Sequence, residues 1–156
     1  MSALPTIGQA APSFTLPRDG GAQVSLSDYS GKIVVLYFYP KDDTPGCTTE
    51  AIDFTADIDA FAKAGAVVLG VSRDTVKKHE KFSDKHGLKV ALLADEDGAV
   101  CEAYGVWGEK SMYGRAFMGI DRTTFLIGPD GKIARIWEKV KVKGHAAEVL
   151  AAVMEL

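Results

Sequence analysis

Cysteine is scarce in this chain, which has only Cys47 and Cys101 among its 156 residues. A disulfide-stapled secreted domain needs an even and dense set of cysteines, which two widely separated thiols do not provide. Neither thiol belongs to a Cys-x-x-Cys pair, and the three histidines have no ligand spacing with them. We therefore expect no structural zinc site and no bound metal.

Positive charge and long apolar runs are also in short supply. The formal net charge is −3, so the chain offers no basic field for nucleic acid or for an anionic membrane surface. No apolar run approaches the length that spans a bilayer. The opening residues 1–14 lack the charged and apolar parts of a secretory signal. We therefore expect a cytoplasmic protein that binds neither nucleic acid nor membrane.

The residues that are present suffice for one globular domain. Hydrophobic residues make up 47% of the chain and charged residues 25%, which fits a core that needs no disulfide or metal to hold it. The chain has no internal repeat, no low-complexity segment and no linker long enough to divide it. We expect residues 1–156 to form a single domain.

Apolar runs alternate with stretches of helical periodicity. The runs 32–39 and 66–72 have no polar face, which is typical of central strands in a parallel sheet that is covered on both sides. Between them, residues 48–65 carry apolar side chains at helical spacing and stop at Gly65. We predict one helix there and a right-handed βαβ unit.

The second half of the chain adds an antiparallel element. Residues 122–138 are predicted to form two strands joined by a Gly-Pro-Asp-Gly turn. The other predicted elements are a helix over 74–87, a short strand over 90–95, a short helix over 98–106 and a terminal helix over 145–156. A sheet that mixes parallel strands with an antiparallel hairpin, flanked by helices, indicates an α/β domain of the thioredoxin-like type.

Cys47 lies at the start of the first predicted helix. Thr44 is a favoured N-cap, Pro45 suits the first helical position and Gly46 takes the second, so that Cys47 takes the third. Free backbone N–H groups and the positive end of the helix dipole surround that position and stabilise a thiolate. We therefore expect the pKa of Cys47 to fall below about 8.5, the value of a free thiol.

Two interpretations of this cysteine compete. Cys47 follows the carboxyl end of a predicted central strand, where α/β sheets place ligand crevices, and it shares a helix face with Ala51 and Phe54. A sheltered, electropositive thiol is suited to nucleophilic attack. The alternative is a small buried hydrophobe, the usual role of a lone intracellular cysteine. The Thr-Pro-Gly entry favours the nucleophile, because a core cysteine has no need of a helix terminus.

The residues around Cys47 resemble a known family. The pattern Pro40-x-x-x-Thr44-x-x-Cys47 is similar to the active-site signature of peroxiredoxins. The longer segment YPKDDTPGCTTEA resembles the Q-type branch, also called bacterioferritin comigratory proteins. The resemblance extends from APSFTLPRDGG through GIDRTTFLIGPDGKI to KVKGHAAEVL. It implies the thioredoxin-like fold and a thiol peroxidase without metal, haem or flavin, acting on hydrogen peroxide and organic hydroperoxides.

The resemblance also implies a role for each site residue. Cys47 is expected to be the peroxidatic cysteine, whose thiolate attacks the peroxide O–O bond and becomes a sulfenic acid. Thr44 is expected to hold the peroxide or the thiolate through its hydroxyl, and Pro40 to shield the pocket. Arg122 matches the family's active-site arginine, whose guanidinium fork can hold both the thiolate and the peroxide oxygens.

Arg122 and Glu50 each have a second interpretation. Arg122, without the resemblance, would be a solvated charge at the end of a strand. Glu50 lies one turn beyond Cys47 and could orient the arginine through a charge-assisted pair. Equally, it could be an acidic residue that favours the first turn of a helix.

The chain departs from the Q-type pattern where relatives carry a resolving cysteine. Ile52 occupies one of the two usual positions, and Ser83 occupies the other, as a natural serine or as a replaced cysteine. Cys101 lies among small and apolar side chains, and we interpret it as buried packing rather than as a resolving thiol. We therefore expect an external donor (thioredoxin, a glutaredoxin or glutathione) to resolve the sulfenic acid by mixed-disulfide exchange.

Two rival functions and the assembly state complete the predictions. A non-catalytic thioredoxin-like binding or redox-sensing domain would keep the fold without turnover. A thiol–disulfide oxidoreductase is disfavoured by the missing Cys-x-x-Cys pair. Because no large exposed apolar stripe is evident in the sequence, we expect a monomer or a weak dimer.

Overall fold

The computed structural model describes residues 4–156 as nine strands and five α-helices. The strands are β1 (Thr15–Pro17), β2 (Gln23–Ser25), β3 (Ile33–Phe38), β4 (Ala66–Ser72), β5 (Ala91–Ala94), β6 (Trp107–Met112), β7 (Arg115–Ile120), β8 (Thr123–Ile127) and β9 (Ile133–Trp137). The helices are α1 (Pro45–Ala56), α2 (Ile58–Lys63), α3 (Val76–His86), α4 (Ala99–Ala103) and α5 (His145–Met154). None of these helices has the length and apolar character that a bilayer crossing needs.

Five strands form the central sheet, in the order β5-β4-β3-β8-β9. Strand β3 pairs parallel with β4, and β4 pairs parallel with β5. Strand β8 pairs antiparallel with β3 on its other side, and β9 pairs antiparallel with β8. The predicted mixed α/β sheet is therefore confirmed, with the most apolar run of the chain, β3, at its centre.

Alternate residues of β3 face two separate hydrophobic cores. Val35 and Tyr37 point into a first core, which α1, α2, α3 and α5 cover. Leu36 points into a second core, to which β1, β2 and α4 contribute. The period of two along a strand produces this separation. Cys47 belongs to the first core and Cys101 to the second, so the sheet lies between the two thiols.

The prediction of one helix over 48–65 was wrong in one respect. The helix is interrupted at Asp57, whose backbone N–H donates to the carbonyls of Phe54 and Thr55 instead of continuing the α-helical ladder. The tighter turn ends α1, and α2 begins at the next residue, Ile58. Phe61 on α2 can then pack against Phe54 on α1, with ring centroids 5.9 Å apart.

Two hairpins were not predicted. Strands β1 and β2 are three residues each, too short for a period-two pattern to be visible. Strands β6 and β7 pair through a tight turn at Tyr113 and Gly114, both with positive φ. A turn with two left-handed residues suits a two-residue hairpin loop, but its usual sequence is Asn-Gly or Asp-Gly. Tyr-Gly is a weaker signal, so the hairpin stayed hidden.

Candidate active site

The start of α1 has the arrangement that the sequence predicts, with one difference. Thr44 is the N-cap and Pro45 the first helical residue, which makes Cys47 the third. The Thr44 side chain, however, does not cap the helix. Its hydroxyl donates to the carbonyl of Lys41 at 2.8 Å. The hydroxyl proton is thus engaged, while the oxygen keeps lone pairs that can accept a hydrogen bond.

Arg122 lies against the sulfur of Cys47. Its Nη2 donates to Cys47 Sγ at 3.4 Å. Arg122 directly precedes β8, and β8 pairs with β3 so that Thr123 lies opposite Phe38. The loop that leaves β3 and enters α1 therefore begins beside the arginine. Sheet pairing thus brings together two residues that are far apart in sequence.

Gly46 provides the space for this contact. A β-carbon at position 46 would lie 3.1 Å from Arg122 Nη2. That separation is tighter than ordinary van der Waals contact, so a β-carbon there would require the guanidinium to shift by a few tenths of an ångström. The glycine of the Thr-Pro-Gly-Cys segment therefore leaves room for the guanidinium to approach the start of α1 closely.

Glu50 holds the other side of the guanidinium. Its Oε1 accepts from Arg122 Nη1 at 2.7 Å, and only 1% of Glu50 is exposed. Burial raises the pKa of Glu50 to about 7, although Arg122 acts in the opposite direction. Glu50 is the sixth residue of α1, so the interpretation as a first-turn acid was wrong. Its second oxygen, Oε2, has no hydrogen-bond partner within residues 4–156.

Arg122 remains a cation in this half-buried place. Burial works against its charge, but Glu50 and the sulfur of Cys47 outweigh that effect, and the pKa of Arg122 is raised above its ordinary value. A permanent positive charge therefore faces a thiol that is itself only 2% exposed. At low local dielectric such a charge acts strongly on an anionic sulfur.

A buried polar cluster that the sequence analysis missed anchors the loop before α1. Asp42 Oδ2 lies 2.6 Å from His79 Nδ1, and the Tyr39 hydroxyl donates to Asp42 Oδ1 at 2.6 Å. His79 Nε2 must donate to the Leu93 carbonyl, 2.9 Å away, because a carbonyl only accepts. A histidine at an inward-facing helix position, between Val76 and Phe82, was the available signal.

A second contact ties the same loop to the end of α3. Asp43 has a left-handed backbone, with φ of 59°, and its carboxylate accepts from Lys85 at 2.8 Å and from His86 at 2.9 Å. These two basic residues lower the pKa of Asp43 below its ordinary value. The adjacent aspartates thus have different partners on α3, since Asp42 pairs with the buried His79 and Asp43 pairs with Lys85 and His86 at its end.

Asp42, His79 and the neighbouring Asp74 are also a conceivable metal-ligand set, with one ligand atom from each within 4.8 Å of the others. Both ring nitrogens of His79 are already engaged, by Asp42 and by the carbonyl of Leu93. Asp74 Oδ2 accepts from the Ser72 hydroxyl at 2.6 Å. Hydrogen bonds within the protein therefore satisfy this cluster.

The three positions considered for a resolving thiol lie on three different helices and differ in burial. Ile52 is on the outer side of α1 and is 43% exposed. Ser83 is half-buried on α3, where its hydroxyl donates to the Leu88 carbonyl at 3.3 Å. Cys101 is fully buried in the second core, as predicted, and both cysteines are free thiols. Burial, with the nearby Asp95, raises the pKa of Cys101 above its ordinary value.

A thioredoxin-like sheet with a sheltered thiol at a helix N-terminus, next to a permanent cation, is the arrangement of a thiol-dependent redox enzyme. The comparisons with known proteins agree with this class and narrow it.

The AhpC/TSA family model matches residues 7–136. A putative peroxiredoxin bcp from Coxiella burnetii is 55% identical over 92% of this chain and 95% of its own length. A structure of Xanthomonas campestris peroxiredoxin Q has a TM-score of 0.87 at 51% identity, over 91% of this chain and 90% of its own. A cysteine-to-serine variant of Xylella fastidiosa PrxQ has a TM-score of 0.93 at 43% identity, over 99% and 98%. The chain therefore belongs to the AhpC/TSA family, and it is a thiol peroxidase of the peroxiredoxin Q, or Bcp, branch.

Proposed function

We propose that Cys47 is the peroxidatic cysteine and that Arg122 stabilises the charge that moves during its reaction. The observation that carries this proposal is the 3.4 Å contact between the guanidinium and the sulfur at the start of α1. The Cys47 thiolate attacks the terminal oxygen of a hydroperoxide, so that an S–O bond forms as the O–O bond breaks. The sulfur becomes a sulfenic acid, and the released alkoxide or hydroxide takes up a proton to leave as alcohol or water.

Arg122 and Thr44 act on different atoms of the reacting pair. Negative charge moves from the sulfur to the leaving oxygen, and the guanidinium fork can donate to both. The Thr44 hydroxyl already donates to the Lys41 carbonyl, so its oxygen accepts the O–H of the peroxide and orients the attacked oxygen. Pro40, half-buried at the rim, excludes water from one side.

Glu50 is a positioning residue in this scheme. It accepts a hydrogen bond from Nη1 of Arg122 at 2.7 Å and leaves Nη2 directed at the sulfur. Gly46 complements Glu50, because its missing side chain leaves room for the same guanidinium. The two residues together fix the fork in the plane that the reaction needs.

Hydrogen peroxide and organic hydroperoxides are the proposed substrates. A cleft of about 460 Å³ opens beside Pro40 toward the β6–β7 hairpin, where Trp107 and Phe117 line it. Of the proposed site residues, Pro40 lines this cleft, so an organic group attached to the peroxide would extend past Pro40 into it. The Xanthomonas campestris bacterioferritin comigratory protein, at 51% identity, is described as having alkyl peroxide reduction activity, which supports the second substrate class.

The sulfenic acid is resolved by an external thiol in this proposal. Ile52 and Ser83 carry no thiol, and Cys101 lies on the far side of the sheet from Cys47. Thioredoxin, a glutaredoxin or glutathione therefore supplies the attacking thiolate. Because only 2% of Cys47 is exposed, the first turn of α1 has to open locally before a donor can reach the sulfur.

The enzyme is further proposed to act as a single domain over residues 1–156, as a monomer or weak dimer, in the cytoplasm. The exposed large apolar side chains of the β6–β7 hairpin are Met112, Tyr113, Phe117 and Met118. This patch was not evident in the sequence, and one two-stranded hairpin is small for an obligate interface. Sedimentation of the purified protein tests the assembly, and a stable ring of many copies would contradict it.

Peroxide consumption with dithiothreitol as reductant tests the proposed function. Replacing Cys47→Ser should abolish turnover, because serine offers no comparable nucleophile. The matched control, Cys101→Ser, should keep the wild-type rate constant for the peroxide step. Wild-type turnover no faster than that of the Cys47→Ser variant would favour the rival, a non-catalytic redox-sensing or binding domain.

A further inference from the structure

A groove of about 340 Å³ lies between the loop before α1 and helix α3. Four lysines border it, with Phe82 and Asp43 between them: Lys41, Lys78, Lys81 and Lys85. We call this feature the α3 groove. Its volume is within the range of about 300–1,000 Å³ that is typical of pockets for small ligands.

Four lysines and three aspartates give the lining of the α3 groove a formal charge of +1. Of its three aspartates, Asp42 is paired with His79, and Asp43 is paired with Lys85. Asp74, the third, accepts hydrogen bonds from the Ser72 hydroxyl and from the backbone of Asp42. The remaining lysines of the groove are all exposed, and none forms an ion pair with any residue in 4–156: Lys41, Lys78 and Lys81. The chain as a whole has the opposite sign, −3.

The groove lies on the side of the sheet where the reaction takes place. Its Phe82 packs in the same core as Cys47, whereas Cys101 is in the other core. The loop on its opposite wall runs directly into Thr44, and Cys47 follows one helical turn, about 5 Å, further along. A molecule held in the groove is therefore close to the sulfur once the first turn of α1 opens.

We propose that the α3 groove binds the carboxylates of a small anionic thiol, of the glutathione type, that resolves the oxidised Cys47. This inference rests on the proposed function, since it names the donor for the same sulfur. Glutathione carries two carboxylates and one amine, so its net charge is opposite to that of the groove. Three ammonium groups free of ion pairs, from Lys41, Lys78 and Lys81, face the site that those carboxylates would occupy.

The chemistry balances with this donor alone. Its thiolate attacks the sulfur of the Cys47 sulfenic acid, an S–S bond forms, the S–O bond breaks, and the hydroxide leaves as water after taking a proton. A second donor thiolate then attacks the mixed disulfide at the donor's sulfur. Cys47 leaves as a thiolate, and the two donor molecules leave as a disulfide, oxidised by two electrons.

The first test compares donors and lysines. Cys47 is oxidised with one equivalent of hydrogen peroxide, and its reduction by glutathione or by the uncharged 2-mercaptoethanol is followed by quenched-flow mass spectrometry. The double variant Lys78→Glu/Lys81→Glu should slow the glutathione step by about tenfold or more, from the loss and reversal of two charge contacts. The 2-mercaptoethanol step and the peroxide step should stay within about twofold of wild type.

Lys77→Glu is the matched control. Lys77 is adjacent to Lys78 on the same helix and is also exposed, but it does not line the α3 groove. It changes the net charge without touching the groove, so the glutathione step should stay within about twofold of wild type. Equal slowing by Lys77→Glu, or equal slowing of both donors in the double variant, would overturn the proposal. The proposal would also be overturned if the double variant slowed the reduction of oxidised Cys47 by an acidic thioredoxin but left its reduction by glutathione unchanged.

The second test does not require any turnover. S-Methylglutathione keeps both carboxylates but has no free thiol, and its binding to the reduced protein can be measured by calorimetry. Wild type should bind it, more weakly as salt rises, and Lys78→Glu/Lys81→Glu should bind it about tenfold more weakly. No binding to wild type would overturn the groove assignment. A failure of peroxide to oxidise Cys47 would instead overturn the proposed function. The binding of S-methylglutathione would still test the α3 groove independently.

Discussion

Cys47 and Cys101 occupy the same position in their helices but have opposite surroundings. Cys47 is the third residue of α1, and Cys101 is the third residue of α4. Both are almost fully buried and both are free. The two thiols lie on opposite faces of the sheet, one in each hydrophobic core.

The two cysteines differ in the charged residue that lies beside each helix N-terminus. Arg122 donates to the sulfur of Cys47 at 3.4 Å. At α4, the Asp95 carboxylate accepts from the backbone N–H groups of Val100 at 3.2 Å and of Cys101 at 2.8 Å. The helix N-terminus there already has its anion, and burial together with that anion raises the pKa of Cys101. A helix terminus therefore favours a thiolate only where no other anion has taken the N–H groups.

Removing the Arg122 cation should remove most of the difference in reactivity toward peroxide between Cys47 and Cys101. We expect Arg122→Ala to slow the reaction of Cys47 with peroxide by about 10²–10³-fold, the usual loss for one transition-state donor. Arg122→Lys should recover only part of the rate, because lysine keeps the charge but not the fork. Stopped-flow measurement of peroxide consumption gives these rate constants.

The control for that prediction is Arg135→Ala. Arg135 is 47% exposed on the edge strand β9 and pairs with Glu148 at the surface, not with Cys47 or Glu50. Its loss should leave the peroxide step unchanged. An Arg122→Ala protein with the wild-type rate constant would show that the helix terminus alone activates Cys47.

Glu50 makes the surroundings of Cys47 dependent on pH. In the unfolded chain Glu50 ionises near 4.5, and in the folded protein near 7. Between these values the folded state keeps a proton that the unfolded state has lost, so the Glu50 contribution to stability falls as pH rises and is lowest above pH 7. Glu50→Gln cannot ionise and removes this trend.

Urea unfolding of wild type and Glu50→Gln at pH 4.5 and pH 7.5 measures that contribution. From pH 4.5 to pH 7.5, the unfolding free energy of wild type should fall by up to about 3 kcal/mol relative to that of Glu50→Gln. Taking the difference cancels the other titrating groups, which both proteins share. A difference that does not change with pH would show that Glu50 keeps its ordinary pKa in the fold.

The smallest expected effect concerns the Cys101 side of the comparison. Asp95→Asn weakens the acceptor for the first N–H groups of α4, and we expect a loss of about 1–2 kcal/mol in unfolding free energy. Asp97→Asn is the control, since Asp97 is exposed and, within residues 4–156, its side chain accepts only from Ala99; its effect should be smaller. The rate of peroxide consumption should be unchanged in both variants. A slower peroxide step in Asp95→Asn would show that the Cys101 side of the sheet affects the reaction of Cys47.

Local sequence signals predicted the elements that place Cys47. The apolar runs that became β3 and β4 and the Thr-Pro-Gly entry to α1 depend on neighbours in sequence, and they were predicted within a few residues. The contact between Arg122 and Cys47 came from the family resemblance. No local pattern contains it, because the register of β8 against β3 brings position 122 to position 47.

The features that were missed depend on tertiary pairing. Asp42 and His79 are 37 positions apart and meet only when α3 packs beside the loop that follows β3. The difference between the two helix N-termini could not be predicted either, because nothing near Cys101 in the sequence marks Asp95 as the acceptor for its backbone N–H. Sequence spacing predicted where a thiol lies in a helix, but not which charge it faces.

Intact-protein mass spectrometry after one equivalent of hydrogen peroxide, without reductant, tests the central claim most directly. If Cys47 alone is activated and has no partner in the chain, the protein should gain one oxygen at Cys47. Cys101 should remain available to alkylation after unfolding. Loss of two hydrogens, with a mapped disulfide between Cys47 and Cys101, would contradict the account. Such a bond would require the sheet that separates the two cores to rearrange.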